Sequence, residues 1–192
     1  MPDLVPPALA VHRSFLAALH EFQGETRYTE LDVAELAEPA RFSAYIEGLL
    51  AQALPDTPRP TGWVPTTHLW FVGGANYLGR LSIRHELTDR LRALGGQIGY
   101  DIRPGARRRG HATRMLALSL PVARRLRIDP ALVTCDVDNI ASRRVIVHNG
   151  GCRAGRRAPV LGADAARRRS HVAAGPRAAH LRTTEWRGGR SR

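Results

Sequence analysis

Between Gln97 and Gly151 the chain runs through a succession that few folds accommodate. A short apolar strand, "QIGYDIR", leads into an arginine-rich turn that ends in glycine, "PGARRRG". A long amphipathic segment follows, "HATRMLALSLPVARRL", with Ala112, Leu116, Leu120, Ala123 and Leu126 on one helical stripe. Pro121 falls inside that stripe and is expected to kink it, because it lacks the N–H that a helix needs. "ALVTCDV" then reads as a strand, and "NIASRRVIVHNGG" as a helix stopped by glycines. Strand, helix and strand in that order make a βαβ unit, whose two strands are expected to lie parallel.

The preceding residues supply the remaining elements. Residues 1–10 are proline-rich and read as a short strand or arm. Val11, Phe15, Ala18, Leu19 and Phe22 recur at helical spacing. Pro39 opens a second helix over 39–54, with Phe42, Ile46, Leu49, Leu50 and Leu54 as its stripe, while the stretch between the two is polar and mixed. "THLWFV" and "YLGRLSI" flank "GGAN", which predicts a β-hairpin. "ELTDRLRALGG" reads as a short helical turn with a glycine stop. With 192 residues, 43% of them hydrophobic, the chain can bury one ordinary core.

The arginine–glycine turn is the strongest chemical signal. A helix that starts just after a glycine offers unpaired backbone N–H groups at the positive end of its dipole, a setting that suits phosphate. Gly110 keeps the approach open, and Arg107, Arg108 and Arg109 add charge. The turn matches neither GxxxxGK[ST] nor GxGxxG. The competing reading is a solvated basic loop ahead of an ordinary helix. Two cysteines, Cys135 and Cys152, make neither a disulfide framework nor a zinc site. Asp136 and Asp138 alternate on a strand but have no third ligand by motif, so no metal is expected.

The net charge of +12 is unevenly spread. Eleven arginines against two acidic residues fall after Cys152, in a tail rich in Arg, Ala and Gly with Trp186 as its one aromatic residue. The chain therefore divides into a domain at 1–152 and a tail at 153–192, read as disordered or as the product of a shifted reading frame. Weak, nonspecific nucleic-acid contact is the partner such a tail suggests. No run of 18 apolar residues or signal-peptide pattern occurs, so no membrane association is expected and the location is read as cytoplasmic.

The order and content of 66–151 resemble the GCN5-related N-acetyltransferases (GNAT) of bacteria. Arg107-Arg108-Arg109-Gly110-His111-Ala112 is similar to the family's Q/R-x-x-G-x-G/A motif, and "LVTCDVDNIASRRVIVHNGG" resembles its next motif, with Asn139, Ser142, Asn149 and Gly150 in place. The resemblance implies an α/β fold with a mixed, mostly antiparallel sheet, flanking helices and a parallel pair made by β4 (97–103) and β5 (131–137). The two strands that follow in the family are poorly supported here. It implies acetyl-CoA as co-substrate, no metal, and direct attack by a small-molecule or protein amine in a monomer or homodimer. It also implies coenzyme contacts at Ile102, Arg107, Arg108, Arg109, Gly110, His111, Ala112, Thr113 and Asn139. Glu86, Tyr100 and Asp101 are the catalytic candidates, with His85 as an alternative base and Glu25, Tyr28 and Glu30 on the acceptor side. Ile146 and Gly151 stand where the family often has a tyrosine acid and an aromatic residue, so a catalytically impaired relative is the alternative enzyme reading.

Overall fold

The computed structural model describes residues 1–25, 27–154 and 158–161. Four strands form an open antiparallel sheet in the order β1 (Asp3–Val5), β2 (Thr66–Gly73), β3 (Asn76–Arg84) and β4 (Ile98–Ile102). One face is covered by α1 (His12–Glu21), α2 (Val33–Ala37) and α3 (Pro39–Ala51). The other meets α5 (His111–Arg125) and α6 (Ile140–His148), while α4 (Asp89–Ala93) links β3 to β4. A second small sheet has the order β5 (Ala131–Leu132), β7 (Ala158–Leu161), β6 (Cys152–Ala154).

Alternation along the hairpin sets which side chains go to which face. Leu69 and Phe71 of β2 pack with Leu81 and Ile83 of β3, Ile98 of β4, and Met115 and Leu116 of α5. Trp70 faces the other way, into an aromatic cluster with Phe15, Phe42 and Tyr77. Phe15 stacks on Trp70 at 5.0 Å between centroids and meets Tyr77 edge-on at the same distance. Tyr77 has the same parity as Leu81 and Ile83 yet lies on the opposite face. The register shift explains this: Phe71 pairs with Gly79 and Val72 with Tyr77, leaving Leu78 as the extra residue of a bulge.

The helices follow the expected patterns with some differences. α3 ends at Ala51 rather than at Leu54. α2 falls in the stretch read as polar and mixed; Asp32 starts it by accepting from the Ala34 and Glu35 N–H groups at 2.8 and 3.2 Å. α5 continues through Pro121 to Arg125. Gly110, Gly95 and Gly96 all have positive φ, as the glycine stops and starts required.

The strand expected over 131–137 is regular only at Ala131–Leu132. The expected parallel β4–β5 pair is also not a ladder. The two strands meet where the Gln97 N–H donates to the Leu132 carbonyl at 2.7 Å, and the Leu132 N–H answers to the Gln97 Oε1 at 3.0 Å. Beyond that point no ladder joins them, and β5 pairs with β7 instead. At that contact the chains touch through bare backbone, since a Cβ on Gly96 would sit 2.6 Å from the Leu132 carbonyl oxygen, and the Leu132 N–H is taken by the Gln97 side chain rather than by a backbone carbonyl of β4, which interrupts a ladder. The strands at 152–154 and 158–161 give the sheet order that the tail's composition did not suggest. The rest of the tail reading, 155–157 and 162–192, lies outside the described residues. No helix among the described residues is long and apolar enough to cross a membrane.

Gly79 is the tightest point of the main sheet. A Cβ there would lie 2.2 Å from the Asp101 carbonyl oxygen, which is backbone and cannot swing away. Gly79→Ala is expected to lower stability by about 3 kcal/mol or more, by strain rather than lost burial. Urea unfolding would show it, with Gly48→Ala as control, since a Cβ at that helical glycine meets nothing within 4 Å.

Candidate active site

The N-terminus of α5 is built as an anion cradle. Gly110 caps it in the left-handed conformation (φ 76°), and no side chain accepts from the first turn. The first backbone bond of the helix runs from the Arg114 N–H to the Gly110 carbonyl at 3.1 Å. The amides of His111, Ala112 and Thr113 therefore lie ahead of the ladder, at the positive end of a 15-residue helix. A Cβ on Gly110 would meet nothing within 4 Å, so the side facing away from the protein is open. His111 rests its ring near Phe71 at 5.7 Å, and Asn149 Nδ2 donates to the Thr113 carbonyl at 3.2 Å, fixing the first turn against α6.

The three arginines of the turn have different fates. Arg108 takes positive φ (61°), and both it and Arg109 are exposed. Arg107 turns back: its Nε donates to the Ile102 carbonyl at 3.0 Å, and its Nη1 pairs with Glu25 Oε1 at 2.7 Å. Its guanidinium is thus held by the segment after α1. Arg103 does the same one turn earlier. It forks onto both Glu21 oxygens, and Glu21 also accepts the Gly105 N–H at 2.8 Å. These bonds hold the Glu21 and Glu25 carboxyls below their usual range, mainly through Arg103 and Arg107 respectively. The phosphate-type turn is therefore braced from α1.

The side chains of β4 divide between two environments. Tyr100 reaches α6, where its hydroxyl lies 2.8 Å from Ser142 Oγ. Burial raises its pKa, and burial also raises that of nearby Cys135, which shares Ser142. Asn139 caps α6 by accepting the Ser142 N–H at 2.9 Å, so its carbonyl oxygen already has a partner. Ile102 is buried at the end of β4.

Asp101 points to the opposite face and is fully engaged. Tyr28 donates its hydroxyl to Oδ1 at 2.7 Å, and Arg80 Nε donates to Oδ2 at 3.1 Å. The Tyr28 hydroxyl also lies 2.9 Å from that of Tyr77, and the Arg80 guanidinium stacks over the Tyr28 ring at 3.8 Å. Burial pushes Tyr28 and Tyr77 well above the usual tyrosine range and Tyr45 up to about 12. Tyr28 reaches this position with a left-handed backbone (φ 63°), which is uncommon for a side chain of its size. Arg80 and Tyr77 escaped sequence reasoning. For Arg80 the signal was the alternation of Arg80, Ser82 and Arg84 with Leu81 and Ile83, which marks a polar face on β3; Tyr77 shares the parity of the apolar set and changes face only through the bulge.

Glu86 is exposed beyond β3, with no hydrogen bond or ion pair among the described residues. His85 is tied to Thr67 Oγ1 at 2.8 Å. Glu30 is exposed, while Glu25 and Tyr28 are built into the brace and the buried network just described. Ile146 is buried in the core, and a Cβ on Gly151 would lie 2.5 Å from its Cγ2, so the two positions fit each other. No group of three possible metal ligands occurs among the described residues.

The model of the acetyltransferase (GNAT) domain matches residues 10–151. The chain belongs to the GNAT acetyltransferase family. Solved members of similar fold include Mycobacterium smegmatis RimJ in complex with CoA-disulfide, 20% identical, covering 84% of this chain and 76% of that one, with a TM-score of 0.58. The microcin C7 self-immunity acetyltransferase MccE, solved with acetyl-CoA and AMP, is 14% identical over 80% of each chain, with a TM-score of 0.54. RimL, a ribosomal L7/L12 alpha-N-protein acetyltransferase solved with coenzyme A, is 17% identical over 80% of this chain and 81% of that one, with a TM-score of 0.53. The search of curated protein sequences gave no match.

His68 of β2 provides a pH test of the polar face of the sheet. Burial, then Arg80 and Arg84, lower its pKa from 6.5 to about 4, and its Nε2 bonds Gln52 Oε1 at 2.9 Å. The unfolded chain binds this proton more readily, so stability is complete above the unfolded pKa and falls as pH drops from 6.5 toward 4. A loss of about 1–3 kcal/mol between about pH 7 and pH 5 is expected in urea unfolding. His68→Gln should flatten the profile in part, leaving the smaller contribution of His85, which burial lowers in the same direction.

Proposed function

We propose that this GNAT chain transfers the acetyl group of acetyl-CoA to an amine acceptor by direct attack on the thioester. The observation that carries the reading is the N-terminus of α5. Three amides precede its ladder, its glycine cap faces open space, and it lies one turn beyond the strand whose outer edge has no ladder partner after Gln97. In this reading His111, Ala112 and Thr113 hold the pyrophosphate through backbone N–H groups, with Arg108 and Arg109 free to add charge. Arg107 acts indirectly, as a tie between the turn and Glu25. The open edge of β4 around Tyr100 and Ile102 supplies backbone groups to the rest of the coenzyme, and Asn139 keeps its amide N–H₂ for the same side. The CoA-bound relatives support this assignment.

Acetyl-CoA supplies an activated carbonyl with a thiolate leaving group; the chain has to place it, remove a proton from the amine and return one to sulfur. Tyr100 is the proposed donor. Burial keeps its hydroxyl protonated, and Ser142 holds it at 2.8 Å on the side where β4 and β5 part. Asp101 is assigned as the anchor of Tyr28, since both of its oxygens already accept hydrogen bonds. Glu86 is the solvent-facing candidate for the base. The acceptors of the relatives, a ribosomal-protein N-terminus among them, support an amine of small-molecule or protein origin.

Calorimetric titration with acetyl-CoA tests the coenzyme half. Saturable binding is expected, and Gly110→Glu should abolish it, because a carboxylate would occupy the cradle from a backbone conformation that side chains rarely adopt. A folded wild-type chain without saturable binding would refute the assignment. Tyr100→Phe should lower turnover by about 10²–10⁴-fold with coenzyme affinity unchanged. Glu86→Gln, assayed in parallel, should lower turnover by about 10²–10⁴-fold with coenzyme affinity unchanged, as loss of a general base does.

A further inference from the structure

The acceptor face of the sheet carries a cation that the protein does not neutralise. On β3 the residues Arg80, Ser82 and Arg84 point away from α5. Arg80 is paired with Asp101. Arg84 is only partly exposed, and its Nη1 donates to the Gly95 and Gly96 carbonyls at 3.1 and 3.0 Å. It reaches no carboxylate among the described residues. Burial lowers its pKa, and no acidic neighbour acts the other way. An arginine withdrawn from water without a counter-charge is costly unless a ligand supplies one.

The surroundings make this a site rather than a stray charge. The guanidinium lies across Gly99 of β4: a Cβ there would be 3.5 Å from Nη1, 3.8 Å from Nη2 and 3.3 Å from Ser82 Oγ. Gly99 thus leaves the strand bare between a fixed cation and a hydroxyl. His68 flanks them from β2, opposite Ser82 in the ladder and uncharged at neutral pH. From Gly99 the chain continues along β4 to Ile102 and on to the turn at Gly110. A coenzyme held at that turn and laid back along β4 ends near this row. Nη1 is pinned by two carbonyls, so the guanidinium is oriented in advance and the cost of ordering it is already met.

We propose that Arg84, with Ser82, forms an anion subsite of the acceptor pocket, and that the acceptor is an amine bearing a carboxylate or phosphate close to its amino group. The inference rests on the acetyl-transfer reading and deepens it by naming the substrate class.

Matched probes test it in the CoA-saturated protein. One arm compares the tripeptide amides Ser-Asp-Ala and Ser-Asn-Ala; the other compares O-phosphoethanolamine with ethanolamine. Calorimetry is expected to show about 10-fold or greater preference for the acidic member of at least one pair, and the pair that responds distinguishes a peptide from a small phosphorylated amine. Arg84→Gln should abolish the preference without altering affinity for CoA, while Arg84→Lys should retain part of it. Gly99→Asp is the second variant. It keeps Arg84 on its two carbonyls, sets a carboxylate beside the guanidinium and should also abolish the preference. Equal affinity within both pairs, absence of binding by all four probes, or a preference that survives both Arg84→Gln and Gly99→Asp overturns the proposal. CoA binding, read first in the same titrations, separates that failure from failure of the coenzyme assignment.

Discussion

One carboxylate organises the centre of this protein. Asp101 sits on β4 with its side chain 12% exposed, and it accepts from Arg80 of β3 and from Tyr28 of the segment between α1 and α2. Three parts of the chain far apart in sequence are thereby fixed to one point. A charge this sheltered persists only if its neighbours replace water, and here they do, with a guanidinium on one oxygen and a phenol on the other. The second phenol, Tyr77, extends the bonding into the aromatic cluster under α1. The left-handed backbone of Tyr28 is one cost that this network offsets.

The end of α1 and the same segment brace the turn before α5. Glu21 and Glu25 take Arg103 and Arg107 of the turn before α5, while Tyr28, three residues after Glu25, takes Asp101. The end of α1 and the segment after it therefore meet both the turn before α5 and the buried carboxylate of β4. Charge near the turn that looks destined for phosphate is partly consumed in holding the turn to the helix. All three consecutive arginines are exposed, but Arg107 is tied to Glu25.

Much of this was legible in the sequence. The hairpin showed itself by alternation, α5 by a 3.6-residue stripe after a glycine, and α6 by Asn139 at its start and glycines at its end. The acetyltransferase resemblance, carried by the same residues, agrees with the family match over 10–151. α2 escaped because it is only five residues long, although Asp32 followed by Glu35 was a cap signature. The shortness of β5 escaped because an apolar run shows what can pair, whereas pairing depends on a partner at the right distance. The fate of Arg107 and the whole Asp101 network escaped for a common reason. Arg107 meets a partner 82 positions away, and Asp101 meets partners 73 and 21 positions away, and nothing in local spacing carries that information.

The bulge at Leu78 has a consequence for how this strand can vary. Because side chains alternate, β3 offers two interleaved sets, and the extra residue sets which of them faces the helices on each side. Removing one residue between Leu78 and Arg84 would exchange the sets over part of the strand. Arginines would be driven against Met115 and Leu116, and leucine would replace the guanidinium beside Asp101. Substitution can retune the polar row one side chain at a time, but a change of length cannot. The strand that joins the hairpin to β4 is therefore locked in count more tightly than in composition.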